Sequence, residues 1–166
     1  MARLKDARGW MFLIALMVVA LDRVTKRWIV AHIESGHAIV VWPGVFRLTH
    51  VLNTGAAFSM FEGARHPEMV RWTLIGFTIV VVMGVVAVLF KSARTMSLFS
   101  ISLALILGGA IGNLYDRIHL RYVVDFLEVT IVHYHWPDFN VADSAIVVGA
   151  CLLLIETFRP QEARHP

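Results

Sequence analysis

Charge is scarce in this chain. Only 16% of its 166 residues are Asp, Glu, Lys or Arg, against 58% hydrophobic. A soluble domain of this size carries nearer a quarter charged residues, so the excess apolar surface calls for lipid. Cysteine is almost missing. Cys151 stands alone inside the last apolar run, which excludes a disulfide within the chain and suits it to packing. There is no Lys/Arg run and the net charge is only +3, so nucleic acid is not an expected partner. No H-E-x-x-H motif occurs. His133 and His135, on one strand-like stretch, are available to a zinc peptidase but read as solvated aromatics. Repeats and low-complexity linkers are absent too, which leaves a single domain over 1–166.

What the chain has is four apolar stretches, about 10–30, 69–90, 96–115 and 141–158. A hydrocarbon core of about 30 Å needs about 20 helical residues. Lipid cannot satisfy exposed backbone groups, so the spans must be helices. The first stretch has a second reading as a cleaved leader, with Arg3, Lys5 and Arg8 ahead of it and "VVA" ending at Ala20. Three further spans, and charged residues that continue a helical pattern past Ala20, favour a retained helix.

Four spans put both termini on one side. Arg3, Lys5, Arg8, Lys91, Arg94, Arg159 and Arg164 then share that side, which the positive-inside rule makes the cytoplasm. The bias is not clean, because Lys26, Arg27, Arg47, Arg65, Arg71, Arg117 and Arg121 fall on or near the other side. That side holds an outer loop of about 31–68, with β-rich stretches flanking Pro43-Gly44. It also holds a connection from about 116 to 140 containing "YVVDFLEV".

Ionisable residues inside spans are functional candidates. At about 1.5 Å per residue, Asp22 and Lys26 lie roughly 18 and 24 Å up from Trp10. Four residues apart, they share a helix face. They read either as a buried ion pair orienting the first helix or as contacts for a substrate or lipid head group. The third span ends "GGAIGNLYDR". Gly108 and Gly112 form a small-xxx-small face, and Asn113, Asp116 and Arg117 follow at helical spacings. This end is either a polar cleft or an interfacial terminus with Arg117 snorkelling to phosphate. Asp143 lies roughly 22 Å up from Phe158. Alone it reads as a helix-terminal acid behind an Asn140 N-cap. Asp125, flanked by apolar residues in the connection leading back, changes that reading. An extended return brings it beside Asp143, and two close carboxylates keep one proton between them. Such a pair can activate water and protonate a carbonyl, as in aspartic proteases.

Several motifs in order now resemble one family. "LDRVTK" carries Asp22 and Lys26; "NTGAAFS" begins at Asn53; "GGAIGNLYDR", "VVDF" and "FNVADSAI" follow. Together they resemble the bacterial lipoprotein signal peptidases (signal peptidase II) over nearly the whole chain. One departure is Arg23, where that family commonly carries Gln. Asp138 matches no motif and is treated as a loop acid.

The resemblance implies an all-α integral membrane protein with four transmembrane helices, a small extracytoplasmic β-cradle and a short interfacial helix. It implies Asp125 and Asp143 as a catalytic dyad, with no metal or cofactor. Asn53, Gly108, Asn113, Arg117 and Asn140 are implied to line the site, with Asp22, Lys26 and Asp116 as supporting polar residues. The implied substrate is a diacylglyceryl-prolipoprotein, cut on the amino side of the lipidated cysteine. Membrane lipid and a globomycin-type inhibitor are the other implied partners, and a monomer in the bacterial inner membrane is expected, with its site near the outer leaflet. The competing class is a small proton-coupled transporter or channel. Such a path needs polar groups through the full depth, whereas these cluster at one level.

Overall fold

A computed structural model describes residues 6–55, 66–93 and 95–159. Four long helices dominate: α1 (Arg8–His32), α2 (Pro67–Ser92), α3 (Leu98–His119) and α4 (Val141–Phe158). At one end of the bundle sits an antiparallel sheet of β1 (Ala38–Trp42), β2 (Phe46–Asn53), β3 (Val123–Ile131) and β4 (Tyr134–His135), in that order.

The helix ends follow local chemistry. Pro67 opens α2, where a missing N–H costs nothing, and Glu68 sits in its first turn beside Arg71. Ser97 and Ser100 form a capping box at the start of α3. That helix runs past the expected end near Tyr115 to His119, so Asp116 and Arg117 are helical rather than part of the connection. Arg117 and His119 in the last turn suit the negative end of the helix dipole.

Helix α3 is the hub and touches each of the other helices. Its small residues allow this. A Cβ on Gly109 would lie 2.3 Å from the Ala142 carbonyl oxygen of α4, and one on Gly108 would lie 2.7 Å from the Ala15 oxygen of α1. On α4, Gly149 answers with a 2.7 Å approach to the Ser102 oxygen. At the end of the bundle away from the sheet, Met11, Ala15, Leu89, Leu103, Ala104 and Leu107 make a continuous apolar cluster. The outward faces of α2 and α4 stay apolar and uncovered, as at Phe77, Val80, Leu154 and Ile155. Cys151, which its apolar run suited to packing, is exposed on α4.

The Pro43-Gly44 signal is a hairpin turn, with Gly44 at φ 74° and Trp42 opposite Phe46. The sheet exceeds the expected outer-loop hairpin because β3 and β4 come from the second connection. The all-α description is to that extent corrected: apolar alternation in "YVVDFLEV" pairs β3 along β2, with Val51 opposite Asp125. Ile29 and Ile33 of α1 pack under this sheet against Val124 and Phe126. No interfacial helix lies among the described residues of the outer loop; its residues 56–65, with most of "NTGAAFS", fall outside them.

Candidate active site

Three elements bring the two candidate carboxylates together. Asp125 is carried by β3, Asp143 by the first turn of α4, and the chain between them is pinned back. The Phe139 oxygen accepts from the Phe126 and Leu127 amides at 3.0 and 2.8 Å, and Phe139 N donates to the Leu127 oxygen. The next residue, Asn140, is therefore held beside β3 and caps α4.

Asn140 bonds both carboxylates. Its Oδ1 accepts from the Asp143 amide at 2.9 Å, and the Asp143 Oδ2 accepts from the Asn140 amide at 3.2 Å, a complete capping box. Its Nδ2 donates to Asp125 Oδ1 at 2.6 Å and to Asn113 Oδ1 at 3.3 Å. Asn113 Nδ2 in turn donates to Asp143 Oδ1 at 2.8 Å. Asn53 Nδ2 donates to Asp125 Oδ2 at 2.8 Å. Asn53 lies diagonally across the β2–β3 ladder from Asp125, within side-chain reach.

The orientation of each amide follows from partners that can only donate. The Asp143 backbone N–H fixes Oδ1 of Asn140, and the Gly55 N–H, at 2.8 Å, fixes Oδ1 of Asn53. Lys26 Nζ, at 3.2 Å, fixes Oδ1 of Asn113, because an ammonium cannot accept. All three NH2 groups then point at carboxylates. Asn53, Asn113 and Asn140 are buried, as is Asp125, whereas Asp143 is partly open.

Asp143 opens on two apolar spaces. One, of about 320 Å³, lies between α2, α3 and α4, with Asn113, Arg117 and Asp143 at its polar end and Leu74, Phe77 and Ile146 among its walls. The other, of about 290 Å³, lies on the opposite flank of α4 under Trp136 and Phe139. Arg117 donates to the Gly55 oxygen at 3.1 Å and the Asn113 oxygen at 3.4 Å, so it ties the outer loop to α3 at the cleft. Arg71, which the sequence singled out only as a charge, is buried behind it and bonds Glu68. An acid three residues before an Arg at a helix start was its available signal.

Beside this stands a quartet of charges. Lys26 Nζ is 2.8 Å from both Asp22 Oδ2 and Asp116 Oδ2. Asp22 Oδ1 accepts from the Ala142 amide at 3.1 Å, so α1 holds the start of α4 directly. Arg23 pairs with Asp116 and lies over the Tyr115 ring at 4.3 Å. The departure at Arg23 thus serves Asp116 rather than its neighbour Asp22. A side chain on Gly112 would strike Asp22 Oδ2 at 2.9 Å, which places this glycine at the quartet. Gly108 lies at the α1–α3 contact. Its missing side chain lets α1 pack closely on α3 at Ala15 and Val18. Asp138 accepts from the Thr49 hydroxyl, apart from the asparagine network.

The Asp125 carboxyl is pushed up to about 7, first by burial and then by the Asp143 charge beside it. The Asn53 and Asn140 donors and Lys26 oppose that rise. At neutral pH Asp125 therefore divides between acid and carboxylate forms, the range a proton-transfer group needs.

A family profile described as signal peptidase (SPase) II matches residues 14–159. The chain belongs to the signal peptidase II family. It is an aspartic-type peptidase of that family. A lipoprotein signal peptidase of Brevibacillus brevis is 42% identical over 149 residues, covering 90% of this chain and 95% of the relative. One of Listeria monocytogenes is 44% identical over 147 residues, covering 89% and 92%. A solved structure described as a bacterial membrane enzyme, obtained by the in meso method at 2.3 Å resolution, superimposes with a TM-score of 0.84 at 30% identity over the full length of both chains. A second such structure, at 1.9 Å, gives 0.82 at 30% identity, covering 97% of this chain and all of that one. Among the described residues three helices, α2, α3 and α4, are long and apolar enough to cross a membrane. With the small antiparallel sheet they fit a membrane protein.

Proposed function

We propose that this protein is an intramembrane aspartyl endopeptidase that removes signal peptides from diacylglyceryl-prolipoproteins, cutting on the amino side of the lipidated cysteine. Asp125 and Asp143 are its catalytic pair. The observation that carries this reading is the asparagine frame: three amides with fixed orientation hold two carboxylates at the mouth of an apolar cleft. The whole chain acts as one domain. Helix α1 is the fourth span, both termini are cytoplasmic, and the sheet end lies at the outer leaflet. Membrane lipid surrounds a monomer, and a globomycin-type cyclic peptide would compete for the same cleft.

In this mechanism Asp125 starts protonated and Asp143 ionised. Asp143 sits at a helix N-terminus and receives N–H donors from Asn113 and Asn140, which favours its charge. Water between the carboxylates gives a proton to Asp143 as its oxygen bonds the scissile carbonyl carbon. Asp125 gives its proton to the carbonyl oxygen, leaving a neutral gem-diol. Asp143 then protonates the amine as the C–N bond breaks, and Asp125 recovers a proton from the diol. Arg117 and Asn140 hold the peptide backbone. The diacylglyceryl chain seats in the apolar cleft, so the lipid fixes the position of the bond to be cut.

The test is cleavage of a lipidated precursor by Asp125→Asn and Asp143→Asn, with unlipidated precursor alongside. Each variant should remain folded and lose activity, and lipidation should be required. Full activity in either variant would remove the dyad; equal cleavage of unlipidated precursor would remove the substrate assignment. Asp138→Asn should cleave normally.

A further inference from the structure

Arg23, Lys26, Arg27 and Val30 recur at three- and four-residue spacing, so they share one stripe of α1. With walls from Leu120 and Val124 they line a separate pocket of about 260 Å³, near the sheet end of the bundle. It shares no lining residue with either space beside Asp143.

The charges here do not balance. Lys26 and Arg23 are engaged by Asp22 and Asp116, two cations against two fully buried carboxylates. Arg27 is the surplus. It is exposed and makes no ion pair or hydrogen bond among the described residues. Arg23 keeps part of its guanidinium at the pocket, with its side chain 18% exposed. An arginine offers five donors in a fork suited to phosphate oxygens, and only one nitrogen of Arg23 is bound to Asp116.

Apart from Tyr122, the rest of the lining is apolar. Val30, Leu120 and Val124 wall the pocket, and one turn back along α1 the side chains of Leu21 and Val24 are uncovered. A small hydrated anion gains nothing from such walls; an anion attached to acyl chains does. We propose that this pocket binds the phosphate of an anionic phospholipid, its head on Arg27 and Arg23 and a chain lying along α1. This also accounts for cations at an end of the bundle where the positive-inside pattern does not call for them.

The test uses the full chain reconstituted in phosphatidylcholine vesicles containing a minority of phosphatidylglycerol. Lipid retained on the extracted protein is read by native mass spectrometry. Phosphatidylglycerol should be enriched on the wild type, and Arg27→Gln should reduce that enrichment by about fivefold, the effect of one cation near an anionic head group. Arg27→Lys should retain most of it. Arg27 is exposed, so these variants fold, and unchanged thermal stability in pure phosphatidylcholine checks that. Equal retention of both lipids by the wild type, or undiminished enrichment in Arg27→Gln, overturns the proposal. Displacement of the lipid by millimolar inorganic phosphate also overturns it, in favour of a free-anion site.

Discussion

Asn140 is the residue whose removal separates capping from chemistry. Its Oδ1 caps α4 and its Nδ2 serves Asp125 and Asn113, so two substitutions divide these roles. Asn140→Ser can keep the cap but has no NH2 for Asp125. Asn140→Ala loses both. Loss of the cap costs about 1 kcal/mol. Loss of a buried donor to a carboxylate costs about 1.5–3 kcal/mol. Asn140→Ala should therefore be less stable than Asn140→Ser by about 1 kcal/mol, read as a lower unfolding midpoint in detergent.

Activity should fall sharply in both, because both release Asp125 Oδ1 and leave the carboxyl held, among the described residues, by Asn53 alone. The pH profile carries the sign. The Asn140 donor favours the charged form of Asp125 and so holds its pKa down. Removing it moves the Asp125 titration upward from about 7, by about one unit if the lost bond is worth about 1.5 kcal/mol. Activity that needs protonated Asp125 declines as pH rises through that pKa. The alkaline limb of kcat/KM should therefore start near 7 in the wild type and shift higher in both variants. An unmoved or lowered limb, or a fully active Asn140→Ser, would refute the asparagine frame.

Two further predictions concern stability. Gly109→Ala should destabilise the bundle by about 2 kcal/mol or more, since its methyl group meets backbone and cannot be relieved by a rotamer; an unchanged midpoint would deny the close α3–α4 contact. Val132, at φ 59° in the two-residue link between β3 and β4, holds a β-branched side chain in left-handed backbone. Val132→Gly should raise stability by about 1 kcal/mol, read from the same unfolding curves, with cleavage unchanged.

The readable parts of this molecule are those set by short-range spacing. Asp22 and Lys26 are four apart, and they pair. Asn140 and Asp143 are three apart at the head of an apolar run, and they form a capping box. The Pro43-Gly44 turn was likewise local. What hid was the side of each helix that meets protein. In lipid both sides of a helix are apolar, so hydropathy does not distinguish a buried face from an uncovered one. Helices α2 and α4 have that character, and Cys151 shows it: its apolar run suited it to packing, yet it is exposed. Contacts across long separations were equally hidden. Arg23 meets Asp116 across 93 positions, and Asp22 meets the Ala142 amide across 120.

The quartet explains how the most charged helix joins an otherwise apolar bundle. A lone Asp, Lys or Arg at the centre of a spanning helix costs about 2.5–3.5 kcal/mol. Four such groups on α1 and α3, left unpaired in lipid, would cost about 10–14 kcal/mol on that scale, comparable with the whole stability of a domain. Here Lys26 touches both carboxylates, Arg23 takes the second, and the Ala142 amide takes the free oxygen of the first. The same contacts also set the asparagine frame. Lys26 turns the Asn113 amide toward Asp143, and Asp22 accepts from the Ala142 amide in the first turn of α4. Replacing the quartet with apolar residues of equal volume could preserve or raise stability. It would leave nothing to set the Asn113 amide, which is then free to present its oxygen to Asp143. Stability alone does not require buried charge at this position; the orientation of one amide does.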